Sequence, residues 1–171
     1  MRARLVLLGL LATALHARPV EIVMIDQAAE KELGFPPDRA ELGRAISAIE
    51  HAGARAIVVK FFLDQPRAPA GDRQLAAVLE ACKVPVVLQA GMDPAEAKPN
   101  PLDDRFARAD LKVAPGAAIT GKSGWLPLPA FAAHAARVSF IDELNPAPML
   151  ELYQGRVMPS LYLAALELMF A

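Results

Sequence analysis

The chain has 171 residues, of which 54% are hydrophobic, and a formal net charge of −1 at pH 7. This length suits one domain with a sizeable core and is too short for two comfortable ones. The near-zero charge gives no support to nucleic-acid binding, which calls for a clustered basic surface. The single cysteine, Cys82, excludes a framework of internal disulfides, and we expect it to pack at the end of a helix.

The first seventeen residues have the three parts of a secretory signal peptide. A basic start at 1–4 precedes an apolar run at 5–11 and a small-residue site that ends at Ala14. We expect cleavage after Ala14 or after Ala17. Because the apolar run is shorter than the ~20 residues that span a bilayer, the pattern favours a periplasmic or extracellular domain over residues 18–171. An uncleaved N-terminal membrane anchor is the alternative.

The next part of the chain predicts a βαβ unit. Residues 20–26 are a short apolar run that ends in an acid, and they predict the first strand. Residues 38–52 have helical periodicity, with an aspartate at the N-cap, a glycine just after the end, and Arg39 on the outer face. Residues 54–62 contain a continuously apolar run, as expected for a strand covered on both faces.

The alternation of helices and strands continues beyond this unit. A helix at 71–82 and a strand at 84–89 follow, and a long polar, proline-rich loop covers 91–114. Later elements are expected as a strand at 116–120, a helix at 130–136, a strand at 138–142, a hairpin at 150–158 and a helix from 160. The sequence therefore predicts an α/β fold, a three-layer sandwich with a mainly parallel central sheet, a βαβαβ start, and a closing hairpin plus C-terminal helix.

Four blocks of residues, spread from residue 20 nearly to the C-terminus, carry a recognisable pattern. They are the opening strand 20–26, the proline-and-arginine turn 34–39, the segment 52–66 with Phe61, Phe62, Gln65 and Pro66, and the closing blocks 126–129, 138–142 and 155–164. In this order they resemble the second subtype of the CHASE-type domain, the cyclase- and histidine-kinase-associated sensory extracellular domain. The resemblance implies a single, non-enzymatic sensory domain that serves signal transduction.

The chain departs from the family pattern at two places. Lys60 stands where the family typically carries an aspartate, and the Asp-Gly and arginine pattern expected after Asp142 is missing. Domains of this family usually precede transmembrane helices and a cytoplasmic output domain, which this sequence does not show. We therefore expect a sensor that acts together with a membrane signalling partner.

Asp26, Lys60 and Asp64 are the candidate ligand-binding residues. In open parallel sheets, ligands bind outside the carboxyl ends of the strands, and these residues end the first and second predicted strands or follow just beyond. An aspartate–lysine pair could hold a small polar ligand, or it could be an exposed ion pair of little energetic weight. The ammonium group of Lys60 argues against a divalent metal there, and no cofactor is predicted.

Two other classes of function stay open. A small exported α/β hydrolase would use His134 or His51 with Asp142, and a degenerate interaction module would bind a signalling partner. The Gly-Lys-Ser sequence at 121–123 lacks the upstream glycine spacing of a phosphate-binding loop, and no hydrolase nucleophile elbow is present. Trp125, beside that loop, is expected to pack in a half-buried position, and a platform for a ligand is the alternative.

Overall fold

The computed structural model describes residues 20–93, 99–114, 118–141 and 148–170. Its helices are α1 Gln27–Leu33, α2 Arg39–His51, α3 Pro69–Ala81, α4 Pro129–Ala132 and α5 Leu161–Phe170, with a 3₁₀ turn at Asp104–Phe106. Its strands are β1 Ile57–Val59, β2 Val86–Met92, β3 Thr120–Gly121, β4 Gly124–Trp125, β5 Arg137–Phe140, β6 Leu150–Tyr153 and β7 Arg156–Pro159. The signal peptide predicted at 1–17 and the candidate Asp142 lie outside the described residues.

The central sheet is mainly parallel, as predicted. β2 lies in the middle and pairs in parallel with β1 and with β5. β4 pairs antiparallel with the carboxyl end of β2. In a second sheet, β3 runs parallel to β6, and β6 and β7 form the predicted hairpin, whose turn residues Gln154 and Gly155 have φ angles of 52° and 78°.

Helices cover both faces of the central sheet. α2 and α3 pack together on one face, where Ile46, Leu75 and Leu79 join the main core with the inward side chains of β1 and β2. α5 covers the other face, where Leu161 and Ala164 pack against Val87. The arrangement confirms the predicted three-layer α/β sandwich with a C-terminal helix.

Local signals explain where α2 begins and ends. The carboxylate of Asp38 accepts a hydrogen bond from the amide of Ala40 at 2.6 Å, so it caps the helix as predicted. Gly53 follows the end of α2 with a φ of +92°, a conformation that costs glycine little. The prediction for Arg39 was wrong: its side chain is 4% exposed, because partners for its guanidinium lie inside the domain.

The strand predicted at 20–26 is also wrong. Residues 20–25 have no regular structure, and Ile22 and Val23 are 80% and 70% exposed. Asp26 does not end a strand; its Oδ1 accepts a hydrogen bond from the amide of Ala29 at 2.9 Å and caps α1. Among the described residues β1 is an edge strand, so its outer side stays free and residues 20–25 do not pair with it. The N-capping carboxylate of Asp26 favours a helix from Gln27 onward. The βαβαβ start is thus reduced to the strands β1 and β2 with their helices.

Candidate functional site

A row of polar residues crosses the α5-facing side of the central sheet near the carboxyl ends of its parallel strands. Gln89 on β2 lies beside Ser139 on β5. The register of β1 with β2, continued by one residue, places Lys60 beside Gln89. Side chains two residues apart on a strand share a face, and Val87, two residues before Gln89, packs against α5. Lys60, Gln89 and Ser139 are called the polar row below.

The inner members of the polar row bury oxygen atoms that have no hydrogen-bond partner in the ranges that the structure describes. Gln89 is 4% exposed and Ser139 is 0% exposed, and among the described residues neither Oε1 of Gln89 nor Oγ of Ser139 has a hydrogen-bond partner. A buried polar atom without a partner costs ~1–3 kcal/mol. Native structures contain few such atoms, so these two call for a partner, and a buried water or a bound ligand can supply it.

The outer member of the polar row is an exposed cation. Lys60 follows directly after β1 and is open to solvent. Within the described ranges, no ion pair joins Lys60 to a carboxylate. The charge of its ammonium group is therefore available to an anionic group at the edge of the sheet.

An aromatic pair lies at the carboxyl end of the polar row. The rings of Phe62 and Trp125 meet edge to face, with centroids 5.7 Å apart. Gly91 lets both rings approach β2, because a Cβ atom there would lie 3.0 Å from Cε3 of Trp125 and 3.1 Å from Cε1 of Phe62. The two side chains nevertheless stay 44% and 47% exposed, so they offer apolar surface beside Lys60.

On the face of the sheet that carries α5, the strand β1 is not covered by the helix. Val58 pairs with Val87 in the sheet, yet Val87 is fully buried whereas Val58 is 39% exposed. α5 therefore covers β2 and leaves β1 bare on this side. We call this uncovered surface beside α5 the open step. Val58 and Lys60 form its base, Gln89 borders it on the side of β2, and the aromatic pair lies at its carboxyl end.

The loop after β1 is fixed by two arginines. Nη2 of Arg39 donates to the carbonyl oxygen of Gln65 at 3.1 Å, and Nε of Arg39 lies 3.4 Å from Oδ1 of Asp72. Nη1 of Arg67 donates to the carbonyl oxygen of Pro36, also at 3.1 Å. Burial lowers the pKa of Arg39, with a further contribution from the charge of Arg67, while Asp72 opposes the shift. These contacts bring the proline-and-arginine turn and the Gln-Pro segment together, and they hold the loop that carries Phe62.

The three residues predicted from the sequence occupy different settings. Lys60 lies in the polar row, and Asp64 lies in the following loop, where its Oδ2 accepts from Nε2 of Gln65 at 3.0 Å. Asp26 caps α1 at an exposed position. Across the described part of the chain, no ion pair joins Lys60 to either aspartate.

Sequence reasoning missed the two inner members of the polar row. Gln89 and Ser139 lie inside apolar strand runs, so the periodicity assigned them to strands and gave them no further role. The available signal was a polar side chain at a position that the neighbouring residues mark as buried. Such a residue needs a partner, whatever the strand pairing is.

Among the described residues, the histidines and the cysteine considered for catalysis do not form a recognisable catalytic arrangement. His51 is the last residue of α2, and its Nδ1 lies 2.6 Å from the carbonyl oxygen of Ser47. His134 is half-buried after α4. Burial raises the pKa of the Cys82 thiol, which packs partly buried against the core as predicted. Among the residues that the structure describes, no group of three or more His, Cys, Asp or Glu side chains could hold a metal ion.

Fold and site together define a small α/β sandwich with an open polar step at the carboxyl ends of parallel strands. The model of the family described as the CHASE2 domain matches residues 2–167, so the chain belongs to the CHASE2 family. CHASE2 domains are extracellular sensory domains of signal transduction and are generally non-enzymatic. The resemblance derived from the sequence blocks is confirmed. No curated protein and no solved structure matches the chain.

None of the helices in the described ranges has the length and apolar character needed to cross a membrane.

Proposed function

We propose that this chain is an exported, non-enzymatic sensory domain that binds a small ligand at the polar row and acts through a partner signalling protein. The observation that carries the proposal is a pair of buried oxygens, on Gln89 and Ser139, which have no hydrogen-bond partner in the described part of the chain and lie beside the exposed ammonium of Lys60. This row lies at the carboxyl end of a parallel sheet, which is where α/β folds bind ligands.

The charge on Lys60 supports a ligand more than it supports an internal ion pair. An exposed pair would contribute little to folding, and the described ranges show no such pair for Lys60. Asp64 and Asp26 are proposed as secondary ligand-binding residues. Each already accepts a hydrogen bond within the chain, so each calls for a variant of its own.

Export and the partner form the second part of the proposal. The signal-like residues 1–17 support secretion, with residues 18–171 as the mature domain. The family's role in signal transduction supports a membrane signalling protein as the partner that carries the output. Cell fractionation tests export, and an unprocessed N-terminus retained in the cytoplasm would contradict it.

Ligand binding is tested by thermal-shift screening of the mature domain against a panel of periplasmic metabolites. A ligand of the polar row should raise the melting temperature of the wild type and of Lys31→Gln, a matched control on α1. It should raise that of Lys60→Gln far less. An equal rise in Lys60→Gln would show that the ligand binds elsewhere. Asp64→Asn and Asp26→Asn, measured separately, report whether either carboxylate takes part.

A further inference from the structure

We propose that the polar row binds a small carboxylate that also carries a hydrogen-bond donor next to the carboxylate and an aromatic group. This inference rests on the proposed function and names the chemical class of its ligand. Each part of the class follows from a different group in the open step. Lys60 would bind the carboxylate, and Gln89 with Ser139 would bind the hydrogen-bond donor. Phe62 and Trp125 would contact the aromatic group.

Lys60 selects the negative charge. Its ammonium is a compact positive charge with three donors, and in the described ranges no carboxylate neutralises it. A phosphate dianion usually takes an arginine fork or several donors. The nearby Arg39 and Arg67 are engaged with Gln65 and Pro36 and hold the loop. One lysine without an arginine therefore fits a carboxylate better than a phosphate.

Gln89 requires a donor on the ligand. Its Oε1 can only accept a hydrogen bond, whereas Oγ of Ser139 can donate or accept, and both atoms are buried without a partner among the described residues. Adjacent strands lie about 4.8 Å apart, so the donor that reaches Gln89 must be close to the carboxylate that reaches Lys60. A hydroxyl or ammonium group on the carbon next to the carboxylate meets this requirement.

The aromatic pair accommodates the rest of the ligand. Phe62 lies two residues beyond Lys60, a rise of about 6.6 Å along an extended chain. The exposed ring surfaces of Phe62 and Trp125 line this end of the step. Edge-to-face contacts with a third ring are favourable. The class is thus a 2-hydroxy or 2-amino acid with an aromatic side chain.

The probe set isolates each group of the ligand. 3-Phenyllactate carries all three groups, while 3-phenylpropanoate lacks the donor, 2-phenylethanol lacks the carboxylate and lactate lacks the ring. Phenylalanine distinguishes an ammonium donor from a hydroxyl donor. Trp125 is the only tryptophan, so its fluorescence reports binding at the step. We expect 3-phenyllactate or phenylalanine to bind at least about tenfold more tightly than each analogue that lacks one group.

Variants assign each preference to a residue. Lys60→Gln should remove the preference for 3-phenyllactate over 2-phenylethanol, and Gln89→Met should remove the preference for 3-phenyllactate over 3-phenylpropanoate. Lys31→Gln should keep both, and circular dichroism verifies that each variant folds. Unchanged preferences in Lys60→Gln and Gln89→Met, or equal binding of all the probes, would overturn the inference.

Failure of this inference can be separated from failure of the proposed function. If none of the probes binds, but a metabolite of another class stabilises the wild type and not Lys60→Gln, the ligand class is wrong and the proposed function stands. If neither the probes nor the metabolite panel changes Trp125 fluorescence or the melting temperature, both are wrong.

Discussion

Gln89 and Ser139 lie side by side on β2 and β5, and each buries an oxygen that no donor in the described part of the chain reaches. Without a bound partner, this pair lowers the stability of the fold. Sites selected for binding often carry such a cost, and substitutions that remove it stabilise the protein and weaken its function. The pair therefore links the stability of the empty domain to its proposed ligand.

Ser139→Ala should stabilise the ligand-free domain. The substitution removes a buried hydroxyl oxygen that has no partner in the described part of the chain. Its removal should stabilise the fold by about 1 kcal/mol and raise the melting temperature by roughly 2–4 °C in a domain of this size. Thermal unfolding followed by circular dichroism measures the change. Ser160→Ala is the matched control and should lower the melting temperature. Oγ of Ser160 accepts a hydrogen bond from the amide of Leu163 at 3.1 Å and so stabilises the start of α5. A lower melting temperature for Ser139→Ala would show that its hydroxyl has a partner within the fold.

Arg39→Ala should be one of the more destabilising arginine substitutions. Arg39 is 4% exposed, lies 5.6 Å above the ring of Phe131 and pairs with Asp72, whose side chain is 19% exposed. Removing one partner of a buried ion pair costs roughly 3–5 kcal/mol. Urea unfolding measures the loss.

The control for Arg39 is Arg44→Ala on the same helix. Arg44 pairs with Glu41 on the exposed surface of α2, and exposed pairs contribute about 0–1 kcal/mol. Equal losses for the two variants would contradict a structural role for Arg39 in holding the loop after β1.

Gly124→Ala should disturb the site more than Gly91→Ala. A methyl group at Gly124 would overlap the carbonyl oxygen of Gly91, so the backbone of β4 would have to move. A methyl group at Gly91 would press on the rings of Phe62 and Trp125, which can shift because they are partly exposed. We expect a larger fall in melting temperature for Gly124→Ala, and a change in Trp125 fluorescence with little loss of stability for Gly91→Ala. The reverse order of melting temperatures would show that β4 tolerates separation from β2.

The sequence predicts those parts of the fold that depend on local signals. The caps at Asp38 and Gly53 define α2, and the turn at Gln154 and Gly155 defines the hairpin. The first strand could not be excluded in this way, because an apolar run ending in Asp26 fits both a strand end and a helix cap. The structure shows the cap, and whether the run pairs with the free edge of β1 is a tertiary effect that the run itself does not encode.

The candidate site is less accessible to sequence reasoning than the fold. Lys60 is predicted as a ligand-binding residue because it follows a predicted strand, and its role stays a prediction. Gln89 and Ser139 were missed, since their neighbours define the strands and only the register brings the two side chains together. Arg39 was assigned to the surface because periodicity describes one helix face, whereas its burial depends on Asp72 and Gln65 from other segments.

The titration of Asp110 should report the contact that joins the long loop to α5. Nε and Nη2 of Arg108 each donate to Asp110 at 2.8 Å, and Nη1 of Arg108 also pairs with Glu167 on α5. The hydrogen bonds from Arg108 lower the pKa of Asp110 from its ordinary value of 3.8 to about 2. A carboxyl whose pKa is lower in the folded state stabilises the fold above the unfolded pKa and loses this contribution as the pH falls through the folded pKa. The stability difference between the wild type and Asp110→Asn should therefore be constant above pH 3.8 and should shrink between pH 3.8 and about 2.

The measurement is an NMR titration of the Asp110 carboxyl, together with acid unfolding of the wild type and Asp110→Asn. In Arg108→Gln, the pKa of Asp110 should return toward 3.8, because its principal hydrogen-bond donor is gone. Arg105→Gln is the control, since Arg105 pairs with Asp103 in the same loop and not with Asp110. A wild-type pKa near 3.8, or an equal shift in Arg105→Gln, would show that Arg108 does not hold Asp110 in solution.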